Sequence, residues 1–541
     1  MSLFSKSFKA FYMVVAVALL PMLASCQWIT EDYDDEISDN SASRYINITV
    51  SVSASNEPVT RANPTGGETG DGLEKGLERE NAVDNITLIF YEDNAGINTD
   101  ENIKVAFFAT YHVEKTDNNP FGHNHNLDDP NVGWTGDDNH QESTVNEVIY
   151  STGNQKLEDN TLEVTKTYHA IVVANAPQNL LSQITKETTI AQVRDMVVST
   201  VYNGTGVGTD AQKFVMSSER DATVTFTNKW TDEQSNSITY YFECIHIERL
   251  AARIDFWAKT KDPNATATYM EAEYADTYDH AGYVYNVGQK DKNGEQDHFV
   301  LTSITPFNLM NGNEYLLKRT NNQTNRYLAK ETTDNWVLDP YSALTGGKNN
   351  TEHPDEHPDY LVSKLDDVKA NMANDYNIVL STRQTASTTE AEGTKFSITE
   401  NGMTYDNIII GYPRENTLTA GVTPLYYYAT GLAFEGYYYS KNATKDTNGK
   451  YTGGERKVFY HYLRHQGEQD AAYQAWTKEQ LEENKSTLLC PASTAMNYGI
   501  VRNNIYRVCI ESITPVDDDI KVTLLIKVKK WDKFVHEPIY M

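Results

Sequence analysis

Residues 45–53 alternate without a break: Ile46, Ile48, Val50 and Val52 fall on one side, Asn47, Thr49, Ser51 and Ser53 on the other. Period-two patterning of this kind belongs to a β-strand with one buried face, because apolar positions on a helix recur every three to four residues. The pattern returns near the far end of the chain. There Ile520, Val522, Leu524, Ile526 and Val528 alternate with Lys521, Thr523, Leu525, Lys527 and Lys529. A one-residue slip would turn every apolar side chain outward, so a phase change at Trp531 predicts a bulge or bend. Further strand-like runs occupy 83–91, 104–113, 168–174, 222–226, 237–244, 245–256, 407–411, 425–433 and 505–513. The 35 tyrosines and the scarcity of long apolar helical faces point the same way. The expected fold class is mainly β: β-sandwich domains of short strands broken by turn clusters, with a few short helices. Helices are expected at 189–198, capped by Thr189, and at 474–484.

A chain of 541 residues is long enough for two or three domains. A change of domain is expected near 244–259, giving an N-terminal domain over 62–245 and a C-terminal domain over 246–541. Stretches 56–76, 116–147, 319–359 and 440–456 lack periodicity and are expected as loops or insertions. No tandem repeat of fixed period occurs.

The start of the chain sets the compartment. Lys6 and Lys9 precede an apolar run over 11–20 that Pro21 interrupts, too short for a membrane span and suited to a secretory signal over 1–25. It ends in Leu23-Ala24-Ser25-Cys26, a lipobox-like sequence that makes Cys26 the expected lipidation site. An acidic tether, Glu31-Asp32-Tyr33-Asp34-Asp35-Glu36, follows within 26–44. It is similar to the export tag of lipoproteins carried to the outside of the outer membrane, so a surface position is expected. A net charge of −30 argues against a nucleic-acid partner. With Cys26 lipidated, Cys244, Cys490 and Cys509 remain, too few for a disulfide framework.

Catalytic signatures do not survive inspection, and no enzyme, cofactor or metal centre is expected. The H-x-x-E-H match of His353 to His357 fails as a helical zinc site because Pro354 and Pro358 break the helix it needs. His123-Asn124-His125, near Asp128 and Asp129, fits a solvated loop better than a metal site. Tyr426-Tyr427-Tyr428 and Tyr437-Tyr438-Tyr439 suit strand surfaces better than a glycan-stacking platform.

Several segments, taken in order, resemble the fimbrillins of type V pili, most closely the larger Mfa-type subunits. They are the lipobox, the alternating strand, Thr60-Arg61-Ala62, and Asn85-Ile86-Thr87-Leu88-Ile89-Phe90. Further along come Ile171-Val172-Val173-Ala174-Asn175 and Phe214-Val215-Met216-Ser217-Ser218. The last are Ile247-Glu248-Arg249-Leu250-Ala251-Ala252-Arg253-Ile254-Asp255 and Val501-Arg502-Asn503-Asn504-Ile505-Tyr506-Arg507. The stretch 260–490 carries no part of the likeness. The resemblance implies two transthyretin-like β-sandwich domains in tandem. It also implies a lipidated, exported precursor cut after an arginine, which by match is Arg61, leaving Ala62 as the new N-terminus. The segment 45–61 would then be a propeptide.

Elementary energetics fit that implication. Loss of Ile46, Ile48, Val50 and Val52 would vacate an apolar groove and expose an unpaired sheet edge. The 520–528 alternation marks a replacement strand, with Ile520, Val522, Leu524, Ile526 and Val528 as its apolar face. Donor and acceptor are different surfaces, so strand addition between copies propagates as a filament. The expected function is a structural subunit of a cell-surface fimbrium supporting adhesion, located in the fimbrium and, as precursor, at the outer membrane through its lipid. Expected partners are other copies, other fimbrial subunits, an arginine-specific protease, and host proteins or glycans. The alternative is a surface lipoprotein that binds glycans or host ligands without polymerising, or a fimbrial tip or accessory subunit.

Overall fold

The computed structural model describes residues 42–52, 73–75, 78–92, 102–112, 149–157, 162–199, 201–203, 213–219, 221–242, 245–263, 268–319, 337–341, 356–380, 395–400, 403–418, 424–464, 472–488, 498–517 and 519–532. Cys26, Arg61, Ala62, Cys244 and Cys490 lie outside them, as do 116–147 and much of 319–359. The chain is mainly β, with five short helices among the described residues. Several sheets pack as β-sandwiches in tandem around two large apolar cores.

The first core gathers the early strand with Ile86, Leu88, Phe90, Ile171, Val173, Met216 and Ile247. Its larger sheet runs Phe107–His112, Asn85–Glu92, Tyr168–Ala174, Met216–Ser218, Ile245–Arg249, Thr49–Ser51, Ile149–Ser151. A smaller sheet runs Lys229–Asp232, Ser237–Tyr241, Ser43–Asn47, Gln155–Lys156. The second core holds Ile254, Phe256, Phe299, Leu301, Phe434, Phe459, Tyr506 and the even-numbered apolar residues of 520–528. Its longest ladder pairs Asn504–Val516 with Asp519–Asp532 in a hairpin. A satellite core around Phe307, Leu365, Val368 and Leu481 covers the outer face of the strands Asp297–Phe307 and Gly431–Tyr439.

Several local expectations change. The run 245–256 is two strands rather than one, Ile245–Arg249 in the first sheet and Arg253–Trp257 in the sheet with Asn504–Val516. The chain crosses at Leu250-Ala251-Ala252, where the first two side chains face the first core and Ala252 faces the second. No break interrupts the ladder at Trp531, which pairs with Glu74. The irregularity falls on the partner strand between Ile510 and Ser512. There Glu511 is buried and accepts a hydrogen bond from Tyr269 at 3.2 Å. The helix expected over 189–198 is confined to Ile190–Arg194, with the Thr189–Gln192 capping box in place. Val197–Val198 instead pairs with Glu314–Tyr315. The second helix, Lys478–Glu483, has the same device at Thr477 and Gln480.

Candidate functional site

The site is the slot that holds residues 43–52. Ser43–Asn47 runs parallel to Ser237–Tyr241 on one side and antiparallel to Gln155–Lys156 on the other. Thr49–Ser51 then runs parallel to Ile245–Arg249 and antiparallel to Ile149–Ser151. One continuous stretch therefore passes from the smaller sheet to the larger, with a ladder partner on both flanks of each half. The flanking strands Gln155–Lys156 and Ile149–Ser151 are the outermost of their sheets among the described residues.

The face predicted from alternation is the face that is buried. Ile46, Ile48, Val50 and Val52 are all 0% exposed and belong to the first core. At roughly 1.5–3 kcal/mol each, their burial is worth on the order of 6–12 kcal/mol as an upper bound, since the unfolded chain already covers part of this surface. Removing the strand would cost that burial and leave the Ser237–Tyr241 and Ile245–Arg249 edges without their neighbour.

One outward residue is buried as well. The amide of Asn47, on the polar side of the alternation, lies under the turn 151–154. Its Oδ1 accepts from Ser151 Oγ at 2.7 Å, and its Nδ2 donates to Asn154 Oδ1 at 3.2 Å. Next to it Ile48 N donates to Thr152 Oγ1 at 3.0 Å, and Thr152 N returns a bond to Ile48 O at 3.0 Å. The turn reaches these positions because Gly153 adopts φ 64°, a left-handed conformation that glycine takes without strain. A polar notch therefore marks the point where the strand changes sheets. Asn47 is visible in the sequence only as an outward-facing polar residue. Its partners lie over a hundred positions away, and no local signal announces them.

A second feature that sequence reasoning missed joins the two cores. Glu80, in the 3₁₀ turn Glu78–Asn81, is fully buried. Its carboxylate accepts from Arg253 at 2.9 Å and from Tyr412 Oη at 2.6 Å, and its backbone oxygen accepts from Arg249 Nε at 2.9 Å. Arg253 also grips Asp255 through Nε and Nη2, both at 2.9 Å, and Asp255 accepts from Arg507 at 3.2 Å. Arg249 bonds Asn503 Oδ1 at 3.0 Å, with Asn503 held at φ 56°. Nearby, Arg502 binds Glu415 at 2.8 Å, and Lys318 binds Glu248 at 2.7 Å. Burial pushes Glu248 up to about 7 despite that ammonium. Among the residues that carried the family resemblance at 247–255 and 501–507, Glu248, Arg249, Arg253, Asp255, Arg502 and Arg507 are thus buried charged groups at the junction of the two cores.

The remaining sequence candidates are placed as follows. Ile520, Val522, Leu524, Ile526 and Val528 are buried in their own domain, paired along the hairpin with 504–516. Tyr426, Tyr427 and Tyr428 form a buried helical turn, Leu425–Tyr428, which removes them as a stacking platform. Tyr439 is buried, and Tyr437 stacks face to face on His280 at 3.5 Å between ring centroids. His357 packs against Tyr427 with its Nδ1 3.1 Å from the Tyr427 oxygen, while His353 lies outside the described residues. His123, His125, Asp128 and Asp129 also lie outside them. Cys509 is a free thiol whose burial raises it to about 12, leaving it unreactive at neutral pH. A cleft of about 450 Å³ opens beside Lys457, Phe459, Val516 and Ile520, and two of its lining residues, Lys457 and Asp519, pair at 3.0 Å.

No family model matches the chain, and no curated protein matches it. Among solved structures the chain is similar to a Parabacteroides distasonis protein described as a candidate cell adhesion protein. That match has 11% identity, 91% of this chain, 99% of the other and a TM-score of 0.39. It is similar to the C-terminally truncated tip fimbrial protein Mfa3 of Porphyromonas gingivalis at 11% identity, 90% of this chain, 99% of the other and a TM-score of 0.35. The fimbrilin FimA of Porphyromonas gingivalis matches at 10% identity, over 91% of this chain and 99% of the other, with a TM-score of 0.33. The structural similarity thus covers about nine tenths of the chain, and it is to proteins named for fimbriae and cell adhesion.

Proposed function

We propose that the chain is a structural subunit of a cell-surface fimbrium, lipidated at Cys26 as a precursor, cut after Arg61 and polymerised by strand exchange. The observation that carries this reading is the strand 43–52. It supplies four fully buried apolar side chains to a core, has ladder partners on both flanks, and is joined to the rest of its domain through the stretch that contains Arg61. A cut there converts an internal strand into a separate peptide, and its departure leaves two edges and an apolar trough. The replacement is the 520–528 strand of a second copy, whose alternating face matches in length and polarity. Its home is the hairpin with 504–516, so exchange moves one apolar face from one trough to another. It proceeds where the neighbour's empty slot outcompetes the home hairpin. Adhesion is then a property of the fibre, and lipid holds the precursor at the outer membrane until the cut.

Two variants test trigger and donor separately. Arg61→Ala should leave membrane-held monomer after protease treatment, read by electron microscopy and N-terminal sequencing; abundant fibres from that variant would remove the trigger. Ser512 and Thr523 are facing residues in the hairpin. With cysteines at both, oxidised protein should be cut but stay monomeric, and reduction should raise fibre yield above that of the oxidised form. Fibres from the oxidised protein would eliminate 520–528 as donor.

A further inference from the structure

The notch at Asn47 does more than fasten the resident strand. It discriminates among strands. Four apolar pockets along the slot accept any alternating segment, and a shift of two residues keeps the same face inward. Apolar burial alone therefore leaves register undecided. The outward side decides it: among the described outward positions Asn47 is buried, with Ser151 and Thr152 buried around it, while Tyr45 and Thr49 are only half-buried.

On this basis, and resting on the strand-exchange reading above, we infer that the notch formed by Ser151, Thr152 and Asn154 fixes the register of the incoming strand by admitting Thr523 of a second copy. For a strand running in the resident's direction, only two alignments of 520–530 place four apolar residues over Ile46, Ile48, Val50 and Val52. One sets Ile520, Val522, Leu524 and Ile526 there and brings Lys521 to the notch. A long ammonium does not fit where a short amide is covered, and burying it costs far more than the contact returns. The other sets Val522, Leu524, Ile526 and Val528 there and brings Thr523 to the notch. Its hydroxyl is short, accepts from Ser151 Oγ as Asn47 Oδ1 does, and can donate to Asn154 Oδ1. Moving two residues further puts Lys530 at the Val52 pocket, which excludes that alignment. In its own domain Thr523 is only half-buried and faces outward beside Gln474, so its hydroxyl can be altered without disturbing the home fold.

The experiment uses full-length protein cut after Arg61 and freed of the early strand, with synthetic peptides of sequence 520–530. The wild-type and Thr523→Ser peptides should bind. Thr523→Val, which keeps the shape and loses the hydroxyl, should bind roughly tenfold to a hundredfold more weakly, because Ser151 loses its buried acceptor. Ser151→Ala in the slot should erase that difference, a coupling that general loss of packing would not produce. Equal binding of the Thr523→Val peptide would overturn the notch assignment and leave strand exchange standing. If no peptide binds while the cut protein still forms fibres, the register and the donor are both wrong and exchange survives through another segment. If the cut protein neither binds peptide nor polymerises, the functional reading falls and takes the notch with it.

Discussion

The early strand and the C-terminal strand have nearly the same composition of faces and opposite kinds of attachment. Both alternate, and both bury their apolar side chains almost completely, although Leu525 on the other face of the C-terminal strand is buried as well. The C-terminal strand is zipped for most of its length to the segment immediately before it, from Val516 with Asp519 to Asn504 with Lys530. The early strand has no sequence-local partner. Every residue it pairs with is at least 98 positions away, the nearest pair being Ser51 with Ile149 and the furthest Val50 with Ile245. Burial therefore does not distinguish a permanent core strand from a removable one; connectivity does. A strand whose ladder contacts are all non-local can leave as a unit once its covalent link is cut, as proposed at Arg61. One zipped to its neighbour leaves only if the hairpin opens.

The sharpest break in this comparison is a charge placed in each core. Leu524→Asp should unfold the C-terminal half outright, read as loss of its slow hydrogen exchange, because a buried unpaired carboxylate costs several kcal/mol. Ile48→Asp should expel only the early strand and leave the second core protected. Global unfolding by Ile48→Asp would show that the slot is part of the C-terminal cooperative unit. Glu80→Gln tests the link between the two halves. Loss of one partner of a buried pair should cost about 3–5 kcal/mol in denaturant unfolding. The two halves should then melt in separate steps. A single unshifted transition would remove Glu80 as the coupling residue.

Acid gives the smallest and most local contrast. Burial, with the Arg464 charge beside it, lowers His461 to about 3, so the ring stays neutral in the fold while the unfolded ring gains a proton near pH 6.5. The unfolded state then binds more protons, and stability falls as pH drops below 6.5. By pH 5 the loss is about 2 kcal/mol. His461 leans on Tyr473, whose strand pairs with 523–525, so the C-terminal half should weaken first. His461→Gln should flatten the stability profile between pH 6.5 and 5; an unchanged slope would assign the acid sensitivity elsewhere.

What could be read from the sequence was what depends on local period. The four inward residues of the early strand, the alternation of 520–528 and the Thr189 cap follow from spacing within ten residues. What could not be read depends on distant chain. The Asn47 notch needs the turn at 151–154, and the Glu80–Arg253–Asp255–Arg507 chain needs three separated segments. In a strand, Arg253 and Asp255 look like solvent-facing charges, and only packing shows them at the junction. Tyr426 to Tyr428 misled in the opposite sense. Three aromatic residues in a row suit a strand surface, but the chain coils there and hides all three.

The orientation of the slot has a mechanical consequence. Its resident lies lengthwise between flanking strands, with hydrogen bonds crossing its axis on both sides. Traction applied along that axis stresses all the crossing bonds together in shear. Peeling from one end would break them one after another. A joint of this geometry is strongest in the direction in which a tethered filament is pulled, and it yields most readily to sideways prying.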